Sequence, residues 1–170
     1  MEEPKANPSK YFNEQEYHTV LMGRNDTETD SAKQTASLLE LLRSKDGGLK
    51  TEVLGFLKKE NAASLLMRLI SESQNEEDTV TLISTCWESG INFIGHHGFF
   101  ANLALHENLA ITLEALTVLE ELAPEFNETD WLSISSQFES EAQSNSPMAP
   151  LIKEFLLLRN RESQTHPDHE

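Results

Sequence analysis

The chain has 170 residues and carries 29 acidic against 13 basic side chains, a formal net charge of −16. That length predicts one domain that buries about 70% of its unfolded surface and needs neither a disulfide nor a structural metal for stability. Its single cysteine excludes an intrachain disulfide, and no apolar run approaches the roughly 20 residues of a membrane span.

Residues 1–30 form a polar N-terminal segment with Pro4 and Pro8. It offers one amphipathic pattern, a short docking helix in which Asn13 and Glu16 cap a turn carrying Tyr17, Val20 and Leu21. The start, Met1, Glu2, Glu3, Pro4 and Lys5, has neither the basic nor the apolar region of a secretory signal, so a cytoplasmic location is expected. A polar linker over 25–30 leads to a helix capped by Asp30 or Ser31, with Ala32, Thr35, Leu38, Leu39, Leu41 and Leu42 at apolar spacing. Gly47 and Gly48 are expected to end it.

Leu49, Val53, Phe56 and Leu57 predict a second helix that closes in Lys58 and Lys59, a basic pair suited to a helix C-terminus. Gly55 weakens such a helix by about 1 kcal/mol relative to alanine, and close approach of a neighbour is the expected reason for it. Asn61 restarts the chain into a strongly apolar helix with Leu65, Leu66, Leu69 and Ile70, and with Arg68 on its rim.

The most apolar region is 79–124. Asn75 caps a helix whose first turn holds Glu76, Glu77 and Asp78, and which turns Val80, Ile83, Cys86 and Trp87 inward until Gly90 ends it. A link rich in glycine and aromatic residues follows over 91–100. Asn108 then caps a helix with Ile111, Leu113, Leu116, Leu119 and Leu122 at helical spacing, stopped by Pro124. Beyond it, Thr129 is expected to cap a helix carrying Trp131, Leu132, Ile134 and Phe138. Ser146 and Pro147 have the chemistry to open a last helix over 151–159, with Arg159 and Arg161 at its C-terminus. The expected organisation is a single helical domain over 31–160 and a disordered tail over 161–170.

A shift of 33 residues brings Leu66/Phe99, Met67/Phe100, Ile70/Leu103, Asn75/Asn108, Thr79/Thr112, Val80/Leu113, Ile83/Leu116 and Glu88/Glu121 into register. On these residues, over about 38–123, the sequence resembles the HEAT and armadillo class of α-solenoids, whose repeats are usually longer, at roughly 40–47 residues. The resemblance implies antiparallel helix pairs stacked into a superhelix. The expected fold is all-α, with about seven to eight helices in antiparallel pairs, arranged as an armadillo- or HEAT-like superhelix or as an irregular helical bundle.

Charge points to a partner class. Residues 71–150 hold fourteen acids and no lysine or arginine, whereas 31–70 hold four acids and seven bases. A uniformly negative surface is therefore expected over 71–150. It would repel phosphate backbones and anionic lipid, which argues against direct nucleic-acid or membrane binding, and would speed encounter with a basic protein. The bland reading is a solvated acidic face that only aids solubility.

Enzyme chemistry has little to build on. Cys86, His96, His97 and His106 could supply four zinc ligands, but their spacing matches no tight-turn metal motif, so no metal or other cofactor is expected. Cys86 with His96 or His97 as base is the enzyme reading with least against it. Its predicted place late in a helix, without a nearby cation, works against a thiolate. Phosphate loops, dinucleotide fingerprints and hydrolase elbows are missing.

The expected function is a non-catalytic protein-interaction module, an adaptor or regulatory subunit that offers an acidic surface to a basic protein. Its candidate partner-binding residues are Glu76, Glu77, Asp78, Glu107, Glu114, Glu120 and Glu121. Trp87 and Trp131 are the preferred exposed aromatic anchors, because an indole N–H tolerates a half-wet site. The alternatives are an immunity-type inhibitor of a basic enzyme, a cysteine- or metal-dependent enzyme, and self-association that pairs the basic stretch 33–68 of one copy with the acidic stretch of another.

Overall fold

The computed structural model describes residues 14–22 and 28–165. The cap expected at Asn13, the linker over 25–27 and the tail over 166–170 lie outside those residues, as do the side chains of Tyr17 and Val20. The described chain is all-helical, with no strand. In order, the elements are α1 (Glu14–Met22), α2 (Glu28–Leu42), α3 (Gly47–Lys59), α4 (Ala63–Glu72), α5 (Glu76–Glu88), α6 (His97–Ala104), α7 (Leu109–Leu122), a 3-10 turn (Ala123–Glu125), α8 (Glu128–Gln143) and α9 (Ala149–Thr165). None of the described helices is long and apolar enough to cross a membrane.

Helix starts follow their caps. Asn75, Asn108 and Asn127 each accept two backbone N–H groups of the following turn, which satisfies donors that a helix start leaves orphaned. Asn127, not Thr129, caps α8, because Asp130 reaches back to the Asn127 N–H and completes a capping box. Trp131, Ile134 and Phe138, spaced three and four residues apart, share the buried face of α8, whereas Leu132 lies off it and is exposed. α2 likewise begins at Glu28, so Asp30 and Ser31 lie inside it.

Contrary to expectation, Gly47 and Gly48 do not end α2 but open α3, where Asp46 Oδ1 accepts the N–H groups of Gly48 and Leu49 at 2.9 and 3.3 Å. A Cβ on Gly48 would stand 3.1 Å from that oxygen, so the glycine leaves room for the cap. Gly55 also departs from expectation. It is exposed, and a Cβ built there would have nothing within 4 Å. Gly55→Ala is therefore expected to stabilise the protein by about 0.5–1 kcal/mol, read as a thermal midpoint raised by roughly 2 °C.

One hydrophobic core runs from Leu21 on α1 to Phe155 on α9. Gln34, buried on α2, donates to the Leu21 carbonyl at 3.1 Å and accepts from Arg68 at 2.7 Å, so one side chain ties α1, α2 and α4 together. At the other end, the rings of Phe126, Trp131, Phe155 and Phe138 meet in sequence at 5.3, 5.7 and 5.8 Å, joining α8 to α9. Arg159 pairs with Glu128 across the same two helices. Arg159 does not close α9, which continues to Thr165 through part of the segment expected to be a tail.

α5 and α7 repeat one another closely. Leu109 stands 33 residues after Glu76, and the buried residues of α5, Thr79, Leu82, Ile83, Thr85 and Cys86, map onto buried Thr112, Ala115, Leu116, Val118 and Leu119. Thr79 Oγ1 donates back to Ser73 Oγ at 2.9 Å, and Thr112 Oγ1 does the same to the His106 carbonyl at 3.0 Å, six residues earlier in each case. Between α4 and α6 the register slips by one, so that buried Leu66 and Ile70 match Phe100 and Ala104 rather than Phe99 and Leu103.

Candidate functional site

α5 and α7 run side by side in the same direction. Asn108 at the head of α7 donates to Glu76 at the head of α5 at 2.7 Å, while residues from the far ends of both helices share one cleft. α5 buries positions 79, 82, 83 and 86, which leaves Trp87, one residue past Cys86, at the edge of the buried stripe and 39% exposed. The inward placement expected for Trp87 is thus corrected, whereas its expected role as an exposed aromatic stands as a position. Its indole N–H donates to Glu114 Oε2 of α7 at 2.8 Å.

Past α5 the backbone turns at Gly90, whose φ of +63° favours glycine. Ile91 and Phe93 plunge into the core, and Phe93 meets Phe100 edge-on at 5.2 Å. Between them Asn92 Oδ1 accepts the Ile94 N–H at 2.7 Å, an Asx-type turn that leaves Ile94 pointing outward, 54% exposed. The link is shorter than expected, because His97 to Phe100 already belong to α6.

These elements enclose a cleft of about 220 Å³. Cys86, Ile91, Phe93, Val118 and Leu122 supply buried apolar lining. Trp87, Asn92, Ile94, Glu121 and Glu125 form the exposed part of its wall. Asn92, Ile94 and Glu125 did not stand out in the sequence. The available signal was the pair of glycines at 90 and 95 bracketing an apolar run, together with the 3-10 turn that Pro124 imposes.

The remaining candidates divide by helix. Asp78 and Glu77 face Arg43 of the α2 terminus at 2.8 and 3.6 Å, and Glu88 pairs with Lys50 of α3 at 2.6 Å. The acidity of 71–150 is therefore not uniform at the surface, because α2 and α3 fold their cations onto α5. Glu76 is engaged by Asn108 and Glu114 by Trp87. Glu107, Glu120, Glu121 and Glu125 are exposed and have no ion pair among the described residues. Leu113 was expected inward, yet it lies on this exposed side of α7 with Leu109. Trp131 is not an exposed anchor. It is 5% exposed and packed between Phe126 and Phe155.

Burial, and then the negative charges of Glu154 and Glu121, push the Glu120 pKa above the usual carboxylate range. A folded-state pKa above the unfolded one favours the protonated native form, so this group's stability is present below the unfolded value and is lost as pH rises through the folded one. Glu120→Gln should thus be more stable than wild type at neutral pH, by under about 0.5 kcal/mol given the solvent exposure of the site. The difference should vanish below about pH 4. Urea melts at the two pH values measure it.

The thiol and imidazole groups have separate partners. Cys86 is buried, its S–H lies 3.4 Å from the Leu82 carbonyl, and desolvation pushes its pKa far up. His97 faces Asp130 at 3.6 Å and packs against Phe126. His106 Nδ1 accepts the Asn108 N–H at 3.0 Å, while His96 is exposed ahead of α6. Among the described residues no three histidine, cysteine or acidic side chains gather where they could hold a metal ion. In comparisons with protein-family models, curated proteins and solved structures, nothing matches this chain.

Proposed function

We propose that the chain is a non-catalytic protein-interaction domain, an adaptor or regulatory subunit that receives a basic segment of a partner protein on the outer side of α7 and the adjoining end of α5. The observation that carries this reading is the composition of that surface. Glu107, Glu120, Glu121 and Glu125 stand exposed without counter-ions from the described residues, and exposed Trp87, Ile94, Leu109 and Leu113 stand on the same two helices and the link after α5. Apolar side chains supply contact area, and surrounding carboxylates steer a cationic partner and fix its register.

The test is affinity capture on the full-length chain at low and high salt, with Glu120→Lys, Glu121→Lys and Glu125→Lys combined in one variant. A second variant, Glu77→Lys with Asp78→Lys, alters carboxylates that Arg43 already engages. Retention of a basic protein by wild type, lost at high salt and lost in the triple variant, supports the reading. Capture that ignores both salt and the triple substitution sinks it.

A further inference from the structure

We propose that the cleft beside Trp87 takes a single arginine side chain of the basic partner; this deepens the reading just given and rests on it. Size argues first. About 220 Å³ lies below the roughly 300–1,000 Å³ of small-molecule sites, and a helix about 10 Å across cannot enter, which leaves one extended side chain as the occupant.

Wall chemistry argues next. Val118 and Leu122 offer an apolar surface to a three-carbon stem, as arginine packs its methylenes against hydrophobic surface while its head stays polar. Glu121, Glu125 and Trp87 all belong to the exposed part of the cleft wall. A guanidinium suits this combination better than an ammonium, because it is planar, more weakly hydrated, stacks on aromatic rings and pairs with carboxylates through a fixed fork of donors. The hydrogen bond from Trp87 to Glu114 holds the indole in place before the ligand arrives. One internal cation approaches from the side, since Lys58 Nζ lies 3.3 Å from where a Cβ of Gly90 would stand. The two wall carboxylates outnumber it.

The test uses the full-length, isotope-labelled chain and a blocked pentapeptide with arginine at the centre of four alanines, against the same peptide carrying citrulline, which keeps the shape and removes the charge. The expected result is a saturable shift of the Trp87 indole N–H and of the Ile94 amide with the arginine peptide, with an apparent Kd on the order of 1 mM. The citrulline peptide should leave both signals in place. Glu121→Gln with Glu125→Gln, both exposed substitutions, should weaken the arginine shift about tenfold. Equal shifts from both peptides, or a shift that survives the double substitution, overturn the inference. Arginine-dependent shifts along Leu109 and Leu113 with none at Trp87 or Ile94 also overturn it, while leaving the broader acidic-face reading intact. Failure of that broader reading is registered separately, by capture that ignores salt and charge.

Discussion

Replacing Phe155 by alanine is expected to destabilise the protein by about 3–5 kcal/mol, the range for emptying a well-packed aromatic site. Phe155 is 1% exposed and lies between Trp131 and Phe138, with ring centroids at 5.7 and 5.8 Å. No flexible side chain in that row can swing in to fill the space, since Phe138 and Ile152 are themselves fully buried. At this chain length a loss of that size lowers the thermal midpoint by roughly 10 °C, and Trp131 emission should shift to the red in the native state. Phe155→Leu, which keeps most of the volume, should lose less than about half as much. A Phe155→Ala loss below about 1 kcal/mol would mean that α9 does not pack on α8 through this ring.

Gln34→Leu is the second large effect, and its mechanism is polar. The Leu21 carbonyl belongs to the last turn of α1, where carbonyls have no partner inside the helix, and the Gln34 amide supplies one from α2. Leucine matches the size but leaves that carbonyl without this donor and removes an acceptor from Arg68. The expected loss is about 1–3 kcal/mol, concentrated on α1. Hydrogen exchange should separate this from general destabilisation, because the α1 amides should speed up more than those of α5 and α7. Gln34→Glu keeps an acceptor for Arg68 and removes only the donor, so protection of α1 should fall while the link from α2 to α4 persists. Uniform acceleration in every helix would refute a local role for Gln34.

How far the sequence revealed the fold depended on which cue carried the signal. The starts of α5 and α7 were legible because an asparagine cap precedes an apolar run in each, and local chemistry alone decides them. Asp46 carried the same cue ahead of α3, but the two glycines behind it suggested a stop. Glycine serves at a helix start or just past a helix end, and only the cap interaction tells the two apart. Asn127 and Thr129 are both acceptable caps, and only the reach of Asp130 back to the Asn127 N–H tells them apart. Trp131, Ile134 and Phe138 share one face of α8 and Leu132 lies off it, and packing against Phe126 and Phe155 makes that face the buried one. Within the candidate site, Trp87 and the α7 glutamates could be named from composition and spacing. Their division into paired and unpaired groups could not, because Arg43 and Lys50 reach α5 from helices more than thirty residues earlier, a contact that only the tertiary fold creates.

Cys86 gives the molecule a built-in clock. It is the one thiol in the chain, it is 1% exposed, and it lies at the buried side of the cleft beneath Trp87 and Ile94. Since desolvation suppresses its thiolate, a disulfide reagent should modify it only in molecules that have opened. The denaturant dependence of that modification then tells two openings apart. A rate that rises steeply with urea reports loss of the whole core, whereas a rate indifferent to urea reports breathing of the link over 91–96 alone. An occupant seated in the cleft should slow both, because neither opened form holds it, so one unmodified side chain can record the lifetime of the fold and the presence of its guest.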